Sequence, residues 1–452
     1  MHEHFSDSEL ARLVSDPESI PLARRLVLEE ETADCATCRT SFDFFSVVAG
    51  EDLAELEVWD ADTDWSSGDP MRAYIERIAG EDRQADELLA QRKVLSSPTK
   101  TAWTDLSRDR KMRTGGVVRR LSAHANKIHL DEPLDALTFA DAAISVAEVL
   151  PDDVYPWKAV FELRGTAWKE RANAMLVLGE YPAALEALTH AERAYRHLSS
   201  SGLGLSTVAL VRASVLCEQG RLVEALESAE KAEHGFAHIG QEERRMRAVF
   251  LRGTIKFETG QIADAVLLFQ QVLDYGEDVN DARWVARAAY AIGNCEVDRG
   301  DLGEASLRFH KALEIFHAIG PDRERLATEW GLARVVMNGG NRSEAIRRLR
   351  IVAVELEKRS MLTDAALVRL DIVETLLALG ETKQVVEIAG RLFRLFKDAG
   401  KLTGALTALA YMKEAASCGR LSPSGVDVVR GFLRRVERQP NLAFVPPPES
   451  FR

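Results

Sequence analysis

The feature that most restricts this chain is a spacing. Glycines that each precede a helix-like, alanine-bearing stretch stand at Gly179, Gly220, Gly260, Gly300, Gly340, Gly380 and Gly419, separated by 41, 40, 40, 40, 40 and 39 residues. A second series of breaks lies midway, at Gly240, Asn280, Gly320, Ser360 and Gly400. Self-similarity at a fixed period marks stacked repeats, in which one unit cannot bury its apolar face alone and uses its neighbours. Each unit reads as a helix, a glycine turn, a second helix and a short connection. Glycine suits the turn because a helix end commonly takes a positive φ, where a Cβ would clash. Proline just after a break, in Gly320-Pro321 and Ser422-Pro423, fits the start of the next helix.

Counting from the turn glycine fixes a register. In LRGTIKFETGQIADAVLLFQQVL, Gly253 lies at −7, Ala265 at +5 and Phe269 at +9; AIGNCEVDRGDLGEASLRFHKAL repeats this with Gly293, Ala305 and Phe309, and adds Ala312. Ala184 with Leu188, Ala225 with Ala229, and Ala345 with Leu349 hold the same places elsewhere. A small residue at −7 lets the paired helices approach, and the larger residue at +9 fills the gap. This pattern resembles the tetratricopeptide repeat over roughly residues 109–438, with a period longer than that family's usual 34. The resemblance implies an all-α fold: an α-solenoid forming a right-handed superhelix of about seven to eight helix pairs, built to bind a protein or peptide. Ala136, Ala140 and Ala143 extend the second-helix spacing upstream as a divergent leading unit with an insertion near PDDVYPWKAV. Ser422 is placed to cap a last helix running to about Glu437.

Residues 1–48 read as a helical hairpin carrying Cys35-x-x-Cys38. It resembles a degenerate form of the zinc-binding hairpin of bacterial anti-sigma factors, in which a histidine stands four residues before the first cysteine; here that place is Glu31. Two thiolates hold zinc only with two further ligands, for which His2, His4 or a glutamate are the nearby candidates. A hairpin that folds by apolar packing, with Cys35 and Cys38 unligated and no cofactor, is the preferred expectation; zinc is the alternative. Residues 49–69 read as an acidic linker, 70–108 as connecting helices, 109–438 as the array and 439–452 as a Pro-rich tail.

A net charge of −13 argues against a whole-molecule fit to nucleic acid or an anionic membrane. The one dense basic run, Ser107–Leu121, lacks interleaved aromatics for base stacking and reads as a solvated helix start. No 18-residue apolar run suggests a membrane span. Five cysteines make no disulfide framework, and the opening MHEHFSDSEL shows no secretory pattern. The expectation is a cytoplasmic, bacterial protein of undetermined oligomeric state.

Three sets of residues are candidates for a site. Arginines occupy −8 in three consecutive units, Arg171, Arg212 and Arg252, with Ile292, Leu332 and Ile372 in the later units. Arginine forks suit carboxylates and phosphates, so these three are the expected contacts to an acidic partner, against the alternative of solvated arginines paired to Glu170 or Glu218. Stacking would align them along one surface, with an apolar end supplied by the later units. Aromatic residues recur at −10 as Phe250, Tyr290 and Trp330, where sharing a face with −7 and −3 predicts core rather than a stacking ladder. Position −9, where some tetratricopeptide domains use asparagine to clamp a terminal carboxylate, holds Glu170, Val211, Leu251, Ala291, Gly331 and Asp371. His190 with His197, and His310 with His317, read as surface pairs, and Cys217 and Cys295 as buried thiols. Phosphate-loop, zinc-protease and nucleophile-elbow patterns are missing. The sequence thus predicts a non-enzymatic interaction scaffold. The alternatives are an anti-sigma-like regulator, whose hairpin sequesters a partner, and a regulatory subunit of a separate enzyme or protease.

Overall fold

A computed structural model describes residues 69–91, 106–130, 132–151, 154–198, 202–319, 322–359, 361–398 and 403–438, together with Phe444. Seventeen α-helices and no strand occur among the described residues. A leading helix, α1 (Asp69–Gln91), precedes eight helix pairs. They are α2 (Gly115–Ile128) with α3 (Pro133–Ala147), α4 (Trp157–Val177) with α5 (Tyr181–Arg196), α6 (Gly202–Glu218) with α7 (Leu222–His238), and α8 (Glu242–Glu258) with α9 (Ile262–Asp278). Then follow α10 (Ala282–Arg299) with α11 (Leu302–Ile319), α12 (Asp322–Asn338) with α13 (Arg342–Lys358), α14 (Leu362–Ala378) with α15 (Thr382–Asp398), and α16 (Thr403–Ser417) with α17 (Pro423–Arg438). The fold class is an all-α solenoid of helix pairs. The chain divides into two compact units, Met1–Arg212 with His234–Gln241, and Ala213–Glu233 with Glu242–Arg452.

The turns are made as the spacing requires. All seven turn glycines have positive φ, from 69° at Gly419 to 89° at Gly340. At Gly300, its N–H donates to the Val297 carbonyl (3.1 Å) and the Asp301 N–H to the Glu296 carbonyl (2.8 Å). That pair of bonds satisfies carbonyls a helix end would otherwise leave orphaned. Of the intermediate breaks, Gly240 and Asn280 also have positive φ, 70° and 54°; Gly320, Ser360 and Gly400 lie outside the described residues.

The register at −7 and +9 is a size match. A Cβ added to Gly253 would stand 2.6 Å from the Phe269 ring, and one added to Gly293 would stand 2.9 Å from Phe309. Where +9 is Leu188 or Leu349, −7 is Ala172 or Ala333, and all four are fully buried. Ala184, Ala225, Ala265, Ala305 and Ala345 at +5 are fully buried too. Close packing of this kind tolerates little change in volume.

In the first unit, Ala136, Ala140 and Ala143 of α3 are buried as the leading pair requires. Arg119 reaches back to Asp82 (2.8 Å) and Glu81 (3.2 Å) of α1, and Arg120 to Asp86 (2.6 Å). The basic run is thus partly neutralised within the unit. Buried Tyr155, in the insertion, accepts a hydrogen bond from the Gly115 N–H at 2.9 Å, fixing the connection into α4 against the start of α2. In the second unit, the last helix is capped by Ser422, whose hydroxyl accepts from the Gly425 N–H at 3.2 Å, and it ends at Arg438.

Candidate functional site

Each of the three arginines at −8 is held in an ion pair by a neighbouring helix. Arg171 on α4 pairs with Asp141 on α3 at 2.7 Å, and Arg212 on α6 with Glu192 on α5 at 2.7 Å, both within the first unit. In the second unit, Arg252 on α8 is held by Glu233 and, at 3.4 Å, by Glu230, both on α7. Each guanidinium therefore points to the second helix of the preceding pair. Glu170, one of the two acids named from the sequence, is buried, salt-bridged to Lys169 at 2.8 Å and accepting from Asn173 at 2.9 Å. The apolar continuation of the series, Ile292, Leu332 and Ile372, is core rather than surface, so it supplies no hydrophobic end to a groove. A position that faces a neighbouring helix is filled by an ion pair or by an apolar contact, and this chain uses both.

The aromatic series at −10 is half-buried, as its shared face with −7 implies. Phe250 packs on Phe269 (centroids 5.2 Å apart) and Tyr290 on Phe309 (5.9 Å). Trp330 differs, because its indole N–H donates to Asp371 on α14 at 2.6 Å. The histidines are engaged locally: His190 stacks on Trp168 at 4.3 Å, His197 lies 4.7 Å from Phe161, and His310 sits on the Ser306 carbonyl at 2.7 Å. Burial pushes the Cys295 thiol up to about 12, with Asp298 and Glu296 adding to the shift. Cys217, also buried, lies 3.8 Å from Glu258. Cys35 and Cys38 lie outside the described residues.

Position −6 carries a periodic signal of its own. It is polar in all seven repeats: Asn173, Ser214, Thr254, Asn294, Arg334, Glu374 and Lys413. Six of these are half-buried and Lys413 is exposed, although the residue just before each, at −7, is fully buried or nearly so. A spacing of four places −6 on the face shared by −10 and −2. In the second unit this face is built by Tyr290, Asn294 and Asp298 on α10, by Trp330 and Arg334 on α12, and by Glu374 on α14. Asn294 donates to the Tyr290 carbonyl at 3.1 Å, which turns its amide oxygen toward Arg334. Arg334 donates to that oxygen and to Asp298, both at 3.4 Å. Those bonds are long compared with the 2.7 Å pairs of Arg171 and Arg212, so Arg334 is the less firmly held guanidinium.

Asp371, at −9, is the buried acid beside this face. Burial pushes its carboxyl above the usual range; Arg430, the Trp330 indole and Arg334 pull it back, while Glu374 adds to the rise. Arg430 on α17 donates to Asp371 at 3.1 Å and to Glu374 at 2.7 Å.

No family profile matches the sequence, and no curated protein does. Solved structures do resemble it. Aspartyl phosphate phosphatase F from Bacillus subtilis is 14% identical, with a TM-score of 0.52, over 87% of this chain and 96% of that one. The apo form of the quorum sensor NprR from B. thuringiensis is 12% identical, with a TM-score of 0.47, over 76% of this chain and 99% of that one. A Rap protein complexed with competence and sporulation factor is 14% identical, with a TM-score of 0.44, over 79% and 98%. At 14% identity the likeness to aspartyl phosphate phosphatase F is one of fold alone, in keeping with the helical repeat described above. Among the described residues no helix is long and apolar enough to cross a membrane.

Proposed function

We propose that this chain is a non-enzymatic interaction module, which binds a segment of a protein partner along the −10/−6 face of the first helices of its second unit. The observation that supports this reading is the −6 register: polar in every repeat, half-buried in six, and in three repeats sharing a face with the aromatic residue at −10. Half-buried polar groups among apolar surface orient a docked segment, whereas a merely solvated face leaves its polar groups open. Arg334, with Asn294 and Tyr290 on one side and Trp330 on its own helix, is the contact we assign to a partner carboxylate or backbone carbonyl. Arg171, Arg212 and Arg252 then act as seam residues between helices. The module works in the cytoplasm in this reading.

The test is affinity capture from source-cell lysate on the tagged full chain, quantified by mass spectrometry and compared with Asn294→Ala/Arg334→Ala. The expected result is a defined partner lost from the double variant at unchanged thermal stability. Equal capture by both chains would sink the assignment. The same capture reads the alternatives: a sigma factor would favour a regulator acting through residues 1–48, and a hydrolase a subunit of a separate enzyme. In the preferred reading no cofactor takes part. Elemental analysis should find far less than one zinc per chain; about one, lost in Cys35→Ser, would reverse this.

A further inference from the structure

The last helix of the second unit breaks the pattern of the six second helices before it. The six preceding glycine turns each lead into a helix two residues on, at Tyr181, Leu222, Ile262, Leu302, Arg342 and Thr382, whereas α17 begins four residues after Gly419, at Pro423. The small buried residue at +5, Ala in five of those turns and Val385 in the sixth, is replaced by Ser424. With its register displaced, α17 packs on its own partner α16 and equally on α14, the first helix of the preceding pair. Among the described residues no other second helix of this unit packs so extensively on such a helix.

The face of α14 that α17 covers continues the proposed docking face. Arg430 reaches Asp371 and Glu374, at −9 and −6. On the apolar side of α17, Val426, Val429, Phe432 and Leu433 join the cluster that contains Leu370 and Val373 of α14. The fit is not complete: the buried Arg430 Nε has no hydrogen-bond partner. Asp371 thus meets an arginine from outside its own repeat, an indole donor and an apolar floor.

Building on the reading that the first-helix face binds protein, we propose that the Asp371–Glu374 face of α14 is a helix-docking site. Its partner is an amphipathic helix with an arginine at the place of Arg430, and α17 is the resident occupant that such a helix displaces. Helix-in-groove recognition needs the apolar residues of a partner at spacings of three and four around a polar anchor, as Val426, Val429, Arg430 and Leu433 show in cis. Displacement exchanges one arginine and one apolar stripe for another, so the buried carboxylate is never left without a cation.

The test uses the full-length chain and, as probe, a fluorescein-labelled synthetic peptide of residues 421–438. Arg430→Glu sets a like charge against Asp371 and Glu374, and should free the face. The peptide should bind this variant at least tenfold more tightly than it binds wild type, and a peptide with glutamate at the position of Arg430 should not bind. Equal binding to both chains would overturn the proposal. Because Arg430→Glu could unfold the last pair, hydrogen exchange on the wild-type chain gives a second reading. Excess peptide should speed exchange of the amides of 423–438 and leave α10–α13 protected; unchanged exchange would mean that α17 is a permanent cap. Dimerisation of the wild-type chain in place of peptide exchange would also overturn it, and would give the face to a second copy. None of these outcomes touches the Asn294–Arg334 capture experiment, so the two readings can fail separately.

Discussion

The early and late repeats solve one packing problem in opposite ways. At −8 of the first helix and +13 of the preceding second helix, the early repeats place Arg212 opposite Glu192 and Arg252 opposite Glu233. The late repeats place Ile292 with Leu273, Leu332 with Leu313, and Ile372 with Ala353, each pair sharing one apolar cluster. The backbone register is the same throughout, and both members of each pair change together. The seam between consecutive helix pairs is thus a replaceable layer. Its chemistry is decided two residues at a time, and an arginine there reports a facing acid rather than a free ligand.

If the seams are equivalent layers of different chemistry, mixing them should be costly. Ile292→Arg would bury a guanidinium against Leu273 with no acid to meet it, and an uncompensated buried charge costs about 3–5 kcal/mol. Adding Leu273→Glu should recover part of that loss, because it recreates the pairing seen at Arg212 and Glu192. Urea denaturation of the single and double variants reads the coupling directly. If the double variant is no more stable than Ile292→Arg, the seams are not interchangeable and the comparison fails. A smaller effect is expected inside a pair. Gly293→Leu drives a side chain into the Phe309 ring, 2.9 Å from where its Cβ would stand, and overpacking costs about 1–3 kcal/mol. Gly303→Ala in the partner helix meets nothing within 4 Å and should be neutral or slightly stabilising.

The architecture was legible because it rests on rules that act within one repeat. Positive φ at the turn demands glycine, and the −7 and +9 positions exclude each other's volume, so both leave a mark every 40 residues. The seam pairing is harder to read, because it depends on which helix a side chain meets next, and Arg212 with Glu192 are 20 residues apart on different pairs. Its sequence mark is the pairing of +13 with the following −8, acid with arginine or apolar with apolar. The polar −6 stripe carries a plain periodic signal in the sequence, one residue away from the buried −7 position. The crossing of α17 onto α14 has one sequence cue, the two extra residues before Pro423, but the Arg430–Asp371 contact spans 59 residues and required the fold.

The smallest expected effect separates the two kinds of acid. Burial opposes ionisation of Glu192, but Arg212 and Arg196 outweigh it and hold the carboxyl below its usual range. Its folded value lies below the unfolded one, so the stability it contributes is present above the unfolded value and is lost as pH falls through the folded one. Asp371 is the reverse. Burial raises its folded value above the unfolded one, so its contribution is fully present below the unfolded value and is lost as pH rises through the folded one. Glu192→Gln should therefore cost stability near pH 7, by no more than about 1 kcal/mol for a partly exposed pair, and cost less as the pH is lowered toward about 4. Asp371→Asn should gain relative to wild type as pH rises over the same interval, because asparagine escapes the ionisation that burial disfavours. Denaturation midpoints for both variants at the two ends of that range supply the check. If the two differences move with pH in the same direction, the distinction between a seam acid held by arginines and a buried acid held for a helix does not stand.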